Sequence, residues 1–291
     1  MKTKIGRFFH KLGQILFCLV PILATLGIQI AVTIPVTFYY FSALGIAGVG
    51  PGEGENIMDW VFRMLFQSDY TVYVTVVWGI ISMVVFFLWY HRIHDSSKDI
   101  PARKTLTAYG LSGLLLMMVG LQIGIQYLYS LVEFYVPEIF EKYNQLMDMG
   151  QYGTVGYIIM LLYGILVAPI HEELLNRGVT MHYALKALPF WAANLLQAAL
   201  FGILHMNIVQ GSYAFIVGLV LGYIYKASGN LKVPILLHMA FNLFGSLIPL
   251  MPLSTDEPSA YILVGVLGVI VALSGWMLFK TATRMRDEKT Y

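Results

Sequence analysis

Three groups of polar residues interrupt apolar stretches in the second half of this 291-residue chain. The first is the stretch APIHEELLNRG, which carries His171, Glu172, Glu173, Asn176 and Arg177. The second is FGILH, with Phe201 and His205, and the third is HMAFN, with His238 and Asn242. In the second and third groups the two residues are four positions apart, so they share one face of a helix.

The two adjacent carboxylates of the first group are expected to have different tasks. Glu173 and Arg177 are four positions apart and can pair within one helix. That pair neutralises Glu173 and leaves Glu172 pointing elsewhere. The spacing therefore predicts a structural role for Glu173 and a chemical role for Glu172.

The residue types together suit the attack of water on an amide carbonyl. A glutamate and a histidine can share a water molecule and remove its proton. A histidine and an asparagine four positions apart, as in His238 and Asn242, can donate hydrogen bonds to a developing oxyanion. Loss of one such donor typically costs about 10²–10³ in rate.

The composition places these groups inside a membrane. The chain is 58% hydrophobic and only 12% charged, with a mean hydropathy of +0.72, whereas a soluble domain carries about 25% charged residues. An ionisable side chain at the centre of a membrane helix costs about 2.5–3.5 kcal/mol, so such residues indicate a functional site. The net charge of +2 gives no reason to expect a nucleic-acid partner. The single cysteine, Cys18, excludes an intramolecular disulfide and a cysteine-based metal cage.

Hydropathy predicts an all-α polytopic membrane protein with about eight transmembrane helices. A spanning helix needs about 20 apolar residues. The candidate segments are 13–43, 71–90, 105–132, 153–174, 187–207, 211–226, 232–250 and 260–280. We treat residues 1–291 as one membrane domain, with N-terminal helices over 1–150, a catalytic core over 151–250, and a last helix with a basic tail over 251–291.

The connections between these segments alternate in charge. The N-terminus, residues 91–104, the turns near 186 and 226–232, and the tail are basic, whereas 45–70, 133–152 and 254–258 are acidic. Lysine and arginine favour the cytoplasmic side of a membrane. The pattern predicts that both termini are cytoplasmic.

The turn at 186–190 decides whether the first two groups meet. Glu172 and His205 lie at nearly equal distances from Pro189, so an antiparallel hairpin would hold them at similar depth. This requires the fourth helix to continue past Pro169 to about Leu185, beyond its hydropathy boundary. His238 lies only about two turns past Asn230, and its depth agrees with that of His205 only if the helices are tilted or unequal.

The three motifs Glu172-Glu173-x-x-x-Arg177, Phe201-x-x-x-His205 and His238-x-x-x-Asn242 resemble those of the CAAX protease and bacteriocin-processing family of intramembrane glutamic endopeptidases. The resemblance covers roughly residues 150–250. It implies a helical cavity between the C-terminal helices that is open toward the cytosol. It also implies that Glu172 and His205 activate water, that His238 and Asn242 form the oxyanion site, and that Glu173 and Arg177, with Phe201, support the geometry. Neither a cofactor nor a metal is implied.

The resemblance further implies hydrolysis of a peptide bond in a membrane-anchored or hydrophobic peptide, with membrane lipid as the surroundings. The compact length favours a bacterial cell-membrane protein, with a role in peptide maturation, bacteriocin processing, self-immunity or membrane-protein processing. Asn176 departs from the family, which often has an aromatic residue before the arginine. We expect Asn176 to hydrogen-bond a neighbouring helix and assign no motif role to His171.

Other classes of protein remain open on the sequence alone. A zinc-dependent protease could use Glu172, His205 and His238 as ligands, although Leu175 breaks an H-E-x-x-H motif. A non-catalytic scaffold or immunity factor would keep the fold without the reaction. A transporter would also bury charges, but no paired repeats with broken helices are evident.

Overall fold

A computed structural model describes residues 4–48, 50–54, 56–66, 69–147, 153–247 and 257–288. The described residues form helices and no strand, which confirms the all-α class. The helices are α1 Lys4–Phe17, α2 Val20–Ile46, α3 Ile57–Phe66, α4 Asp69–Ile93, α5 Ala102–Thr105, α6 Ala108–Tyr135, α7 Pro137–Met147, α8 Thr154–Ala187, α9 Phe190–Leu204, α10 Ile208–Ser228, α11 Lys232–Leu247 and α12 Pro258–Glu288. Most of the acidic stretch at 254–258 lies outside the described residues.

Each of the eight predicted membrane segments corresponds to an apolar helix. Within the described residues, six helical stretches are long and apolar enough to cross a bilayer: 11–46, α4, α6, α8, α10 and α12. The other two, α9 and α11, are apolar but shorter. Two amphipathic helices, α3 and α7, occupy parts of the acidic connections.

The first predicted segment, 13–43, lies within the apolar stretch 11–46, which a tight turn divides into two helices. α1 ends at Phe17 and α2 begins at Val20, with tight turns at Cys18 and Leu19. The break follows from Pro21, which has no N–H to donate to the carbonyl four residues earlier. Cys18 is fully buried in this turn, consistent with an ordinary small apolar residue.

The helix that carries the two glutamates continues to Ala187, which confirms the expected extension past Pro169. It contains two π-helical segments, Tyr163–Val167 and Leu174–Thr180. Pro169 cannot donate a backbone hydrogen bond, and the first π segment lies directly before it. A π turn widens the helix and leaves backbone carbonyls in unusual positions, which is why such turns occur at functional sites.

One wall of the helix bundle is a close pairing of α6 with α12. Glycines on each helix face the backbone of the other: a Cβ added at Gly120 would overlap Ala272, and one added at Gly275 would overlap Met117. Small residues at such positions let membrane helices approach closely. On its other face α6 packs against α10 and α11 in the main apolar core, and the candidate site opens beside this core.

Candidate active site

One cavity of about 590 Å³ brings the predicted site residues together. Glu172 from α8, Phe201 and His205 from the end of α9, and His238 and Asn242 from α11 all line it. They come from three helices that are separated by as many as 70 residues in the chain. The structure therefore brings residues from all three sequence groups to one space.

The buried ion pair between Glu173 and Arg177 forms as predicted. Arg177 Nη1 donates to Glu173 Oε1 at 2.7 Å, and both side chains are fully buried. Arg177 Nη2 donates to the Gly218 carbonyl at 2.9 Å, and its guanidinium lies 5.0 Å from the centre of the Phe201 ring. A buried charge requires such partners, so Glu173 is committed to structure.

Glu172 has the opposite environment. Its side chain is 24% exposed, and it faces the cavity instead of the protein interior. The π segment that begins at Leu174 lies directly after the two glutamates. Of the two adjacent carboxylates, Glu172 is the one in position to meet a substrate or a water molecule.

His238 lies between the two carboxylates, a contact that the sequence analysis did not predict. Its Nδ1 is 2.9 Å from Glu173 Oε1, and its Nε2 is 3.6 Å from Glu172 Oε2. Glu173, paired with Arg177, is a carboxylate and can only accept hydrogen bonds. His238 Nδ1 is therefore the donor in this contact and carries a proton. The 3.6 Å between His238 Nε2 and Glu172 Oε2 is too long for a hydrogen bond. Nε2 is therefore available to a ligand in the cavity.

His205 caps the C-terminal end of α9. Its Nδ1 lies 2.9 Å from the Phe201 carbonyl, so Nδ1–H donates and Nε2 is the acceptor of the neutral ring. Within the described residues no carboxylate lies within the 4.0 Å limit of an ion pair with His205. Glu172 and His205 thus line the same cavity without direct contact, a separation that a water molecule can bridge.

Phe201 resolves the question of depth. Its ring centre is 4.9 Å from that of His205 and 5.9 Å from that of His238, with both imidazoles edge-on. Straight antiparallel helices would hold the two histidines at different levels. The shared contact with Phe201 therefore shows that the two histidines lie at similar depth.

Asn242 is held by the backbone of α8. Its Nδ2 donates to the Gly164 carbonyl at 2.7 Å, inside the first π segment. A side-chain amide has two N–H groups, so this bond orients the amide and leaves its second N–H for a ligand in the cavity. The π segment before Pro169 thus has a direct consequence for the site.

His171 and Asn176, which belong to the first polar group, lie away from the cavity. His171 is buried against α2 and α4, with Nε2 3.4 Å from Thr25 Oγ1 and its ring 5.1 Å from that of Trp78. The expectation for Asn176 is wrong: its Nδ2 donates to the Glu172 carbonyl of its own helix at 2.8 Å. The Asn176 amide thus donates to the Glu172 carbonyl, close to the residue at which the second π segment begins.

Sequence reasoning missed several polar residues around the site. Gln197 is fully buried and donates to the Gly218 carbonyl, the same acceptor that Arg177 uses. Its presence in an apolar helix was a signal that could have identified it. Tyr143 lines the cavity from α7, outside the membrane spans, and burial raises the pKa of its phenol. It therefore stays a neutral hydrogen-bonding group.

The residues proposed as zinc ligands do not form a compact donor set. Among the residues that the structure describes, no group of three or more His, Cys, Asp or Glu side chains is arranged to hold a metal ion. His238 Nδ1 is engaged with Glu173, and His205 is separated from Glu172. The donor set does not fit the compact tetrahedral geometry of a zinc site.

Comparison with known protein families gives one match. Residues 154–244 match the family model described as type II CAAX prenyl endopeptidase Rce1-like. The match contains Glu172, His205, His238 and Asn242, and it lies within the predicted core at 151–250. No curated protein and no solved structure matched the chain.

Proposed function

We propose that this chain is an intramembrane endopeptidase in which Glu172 activates water, because residues 154–244 match the type II CAAX prenyl endopeptidase Rce1-like family model. The observation that supports this most directly is the division of the two carboxylates. Glu173 is fully buried with Arg177, whereas Glu172 faces a cavity shared with two histidines. The substrate class is a membrane-anchored or hydrophobic peptide.

In the proposed reaction, a water molecule lies between Glu172 and His205. Nε2 of His205 accepts a hydrogen bond from it, and Glu172 removes a proton as the oxygen attacks the peptide carbonyl carbon. The C=O π bond becomes an oxyanion on a tetrahedral intermediate. The C–N bond then breaks, and Glu172 returns the proton to the leaving amine, which gives a carboxylic acid and an amine.

The oxyanion would be stabilised from α11. Asn242 presents its second amide N–H, and His238 presents Nε2–H when it carries both protons. Donors fixed before the reaction stabilise developing charge without reorganisation, and both donors are anchored here by bonds to α8.

The first test is cleavage of a quenched membrane-peptide library by purified protein in detergent, comparing wild type with Glu172→Gln. We expect the variant to lose about 10²–10⁴ of the rate and a zinc chelator to leave wild-type cleavage unchanged. Glu138→Gln is a matched control, because Glu138 is an exposed carboxylate on α7 that does not line the cavity.

Each alternative function has its own outcome in this test. Loss of cleavage on chelation and recovery with zinc would replace the glutamate mechanism with a metal-dependent one. Full biological activity in Glu172→Gln would establish the scaffold or immunity role instead. Equal losses in Glu172→Gln and Glu138→Gln would show a general effect of removing carboxylates and would refute the assignment.

A further inference from the structure

A buried glutamine in the wall of the cavity has an acceptor atom with no donor in the protein. Gln122 lies in the apolar helix α6, is 9% exposed and lines the catalytic cavity. Its Oε1 is buried and has no hydrogen-bond partner among the described residues. Leaving a buried polar atom unpaired destabilises a protein, so the position of this amide requires an explanation.

The location of Gln122 distinguishes it from the other buried polar groups. Within the described residues, eight buried side-chain nitrogen or oxygen atoms have no hydrogen-bond partner. Of these eight, Gln122 Oε1 is the only one whose residue lines the cavity. Gln197 also belongs to this set, but it lies outside the lining and its Nε2 donates to the Gly218 carbonyl at 3.0 Å. Polar residues of membrane helices commonly bond a neighbouring helix in this way, whereas the Gln122 acceptor is open to a molecule that enters the cavity.

Gln122 lies beside α11, beyond the site residues of that helix. A Cβ added at Gly245 would lie 3.2 Å from Gln122 Nε2, so the lack of a side chain at Gly245 leaves room for the amide. Gly245 follows Asn242 by three residues and His238 by seven, which places it about 4.5 Å and about 10.5 Å further along the helix. Because an extended peptide rises about 3.3 Å per residue, the amide is about two to three residues away from a carbonyl held between His238 and Asn242.

A side-chain amide carries the same two polar groups as a peptide unit. The Gln122 oxygen accepts a hydrogen bond and its NH₂ group donates, so the amide can pair with one N–H and one C=O of an extended backbone. This pairing does not depend on the side chain of the bound residue. Ile125 and Phe241 line the same cavity as buried apolar residues, which suits an apolar side chain next to the paired peptide unit.

We propose that Gln122 is a substrate-binding residue, and that its amide holds the peptide backbone about two to three residues from the scissile bond. Its Oε1 accepts from a backbone N–H of the substrate, and its Nε2 donates to a backbone carbonyl. This contact selects an extended chain with a free N–H at that position and excludes proline there. The inference rests on the proposed function for the statement that the bound peptide is cleaved.

Substitution of Gln122 tests the contact with the best-cleaved peptide of the quenched library. Gln122→Met keeps the length of the side chain and removes both polar groups. We expect KM to rise about threefold to tenfold, the net effect of one hydrogen bond, with kcat within about twofold of wild type because uniform binding is lost. Gln126→Met is the matched control, since Gln126 also borders the cavity one turn further along α6 but is exposed. Equal rises of KM in the two variants would overturn the proposal.

Thermal unfolding distinguishes substrate binding from helix packing. An amide that held helices together would give a lower Tm in Gln122→Met. We expect Tm to be unchanged or higher, because the variant removes an unpaired buried oxygen. A lower Tm with an unchanged KM would show a purely structural residue and would contradict the assignment.

Backbone esters identify the peptide unit that Gln122 contacts. In each probe, one amide of the library peptide is replaced by an ester, which removes one N–H and keeps the length of the chain. We expect wild type to lose about threefold to tenfold in kcat/KM at one position, about two or three residues from the scissile bond. Gln122→Met should show no additional loss at that position, because the two changes remove the same contact. Equal ester effects in both proteins, or no sensitive position in wild type, would refute the contact.

A binding measurement keeps this inference separate from the proposed function. Fluorescently labelled library peptides are titrated with the Glu172→Gln protein, and anisotropy gives Kd without turnover. We expect the addition of Gln122→Met to raise Kd about threefold to tenfold. If wild type cleaves no library peptide, the proposed function fails, while a Kd that depends on Gln122 still supports the binding site. An unchanged Kd, or no binding by any peptide, overturns the inference.

Discussion

The buried pair of Glu173 and Arg177 allows a quantitative test of the division between the two glutamates. Glu173→Gln keeps the size of the side chain and removes its charge. In the structure, Arg177 would then lose the charge of its ion-pair partner and keep neutral partners: the glutamine oxygen, the Gly218 carbonyl and the Phe201 ring. Breaking a buried pair by removing one partner costs about 3–5 kcal/mol, because the remaining charge is uncompensated.

A double-mutant cycle separates this pair effect from general disruption. Arg177→Met leaves the Glu173 carboxylate unpaired, and we expect a similar loss of stability. The double variant has neither buried charge, and Gln197 still donates to the Gly218 carbonyl at 3.0 Å. The double variant is therefore expected to be more stable than the sum of the single losses predicts, by about 2–3 kcal/mol.

Thermal unfolding in detergent, followed by tryptophan fluorescence, measures these differences. Glu172→Gln is the matched comparison, because its side chain faces the cavity and is 24% exposed. We expect Glu172→Gln to change Tm little while it abolishes cleavage. Additivity of the two single variants within about 0.5 kcal/mol would refute the coupling, and so would equal losses of Tm in Glu172→Gln and Glu173→Gln.

Three further predictions concern residues around the pair. Asn242→Ala removes one oxyanion donor, so kcat should fall by about 10²–10³ with KM little changed; a loss confined to KM would contradict that role. His171→Ala leaves a cavity between Thr25 and Trp78, so thermal unfolding should show a loss of about 2–5 kcal/mol while the kcat of the folded protein is retained. Gly275→Leu should lower Tm, because its side chain would force α12 away from the Met117 backbone; an unchanged Tm would show that the α6–α12 contact is not tight.

Local features of the chain were sufficient to predict the helices and one contact of the site. Hydropathy is a property of each segment alone, so the eight apolar segments could be identified without knowledge of their neighbours. The bond between Glu173 and Arg177 forms within a single helix, where sequence spacing determines distance. The break before Pro21 was also readable, since proline removes a known hydrogen bond, but the length of the apolar run concealed it.

The remaining geometry depends on how helices tilt and rotate against one another, and sequence spacing does not determine these angles. The packing of α11 against α8 places His238 between the two carboxylates. The π segments of α8 supply the Gly164 carbonyl to Asn242 and turn Asn176 back to its own helix. The sequence by itself indicated which residues could carry the chemistry, and only the tertiary structure decided that Glu172, His205, His238 and Asn242 line one cavity, because spacing within one helix does not determine how α8, α9 and α11 pack against one another.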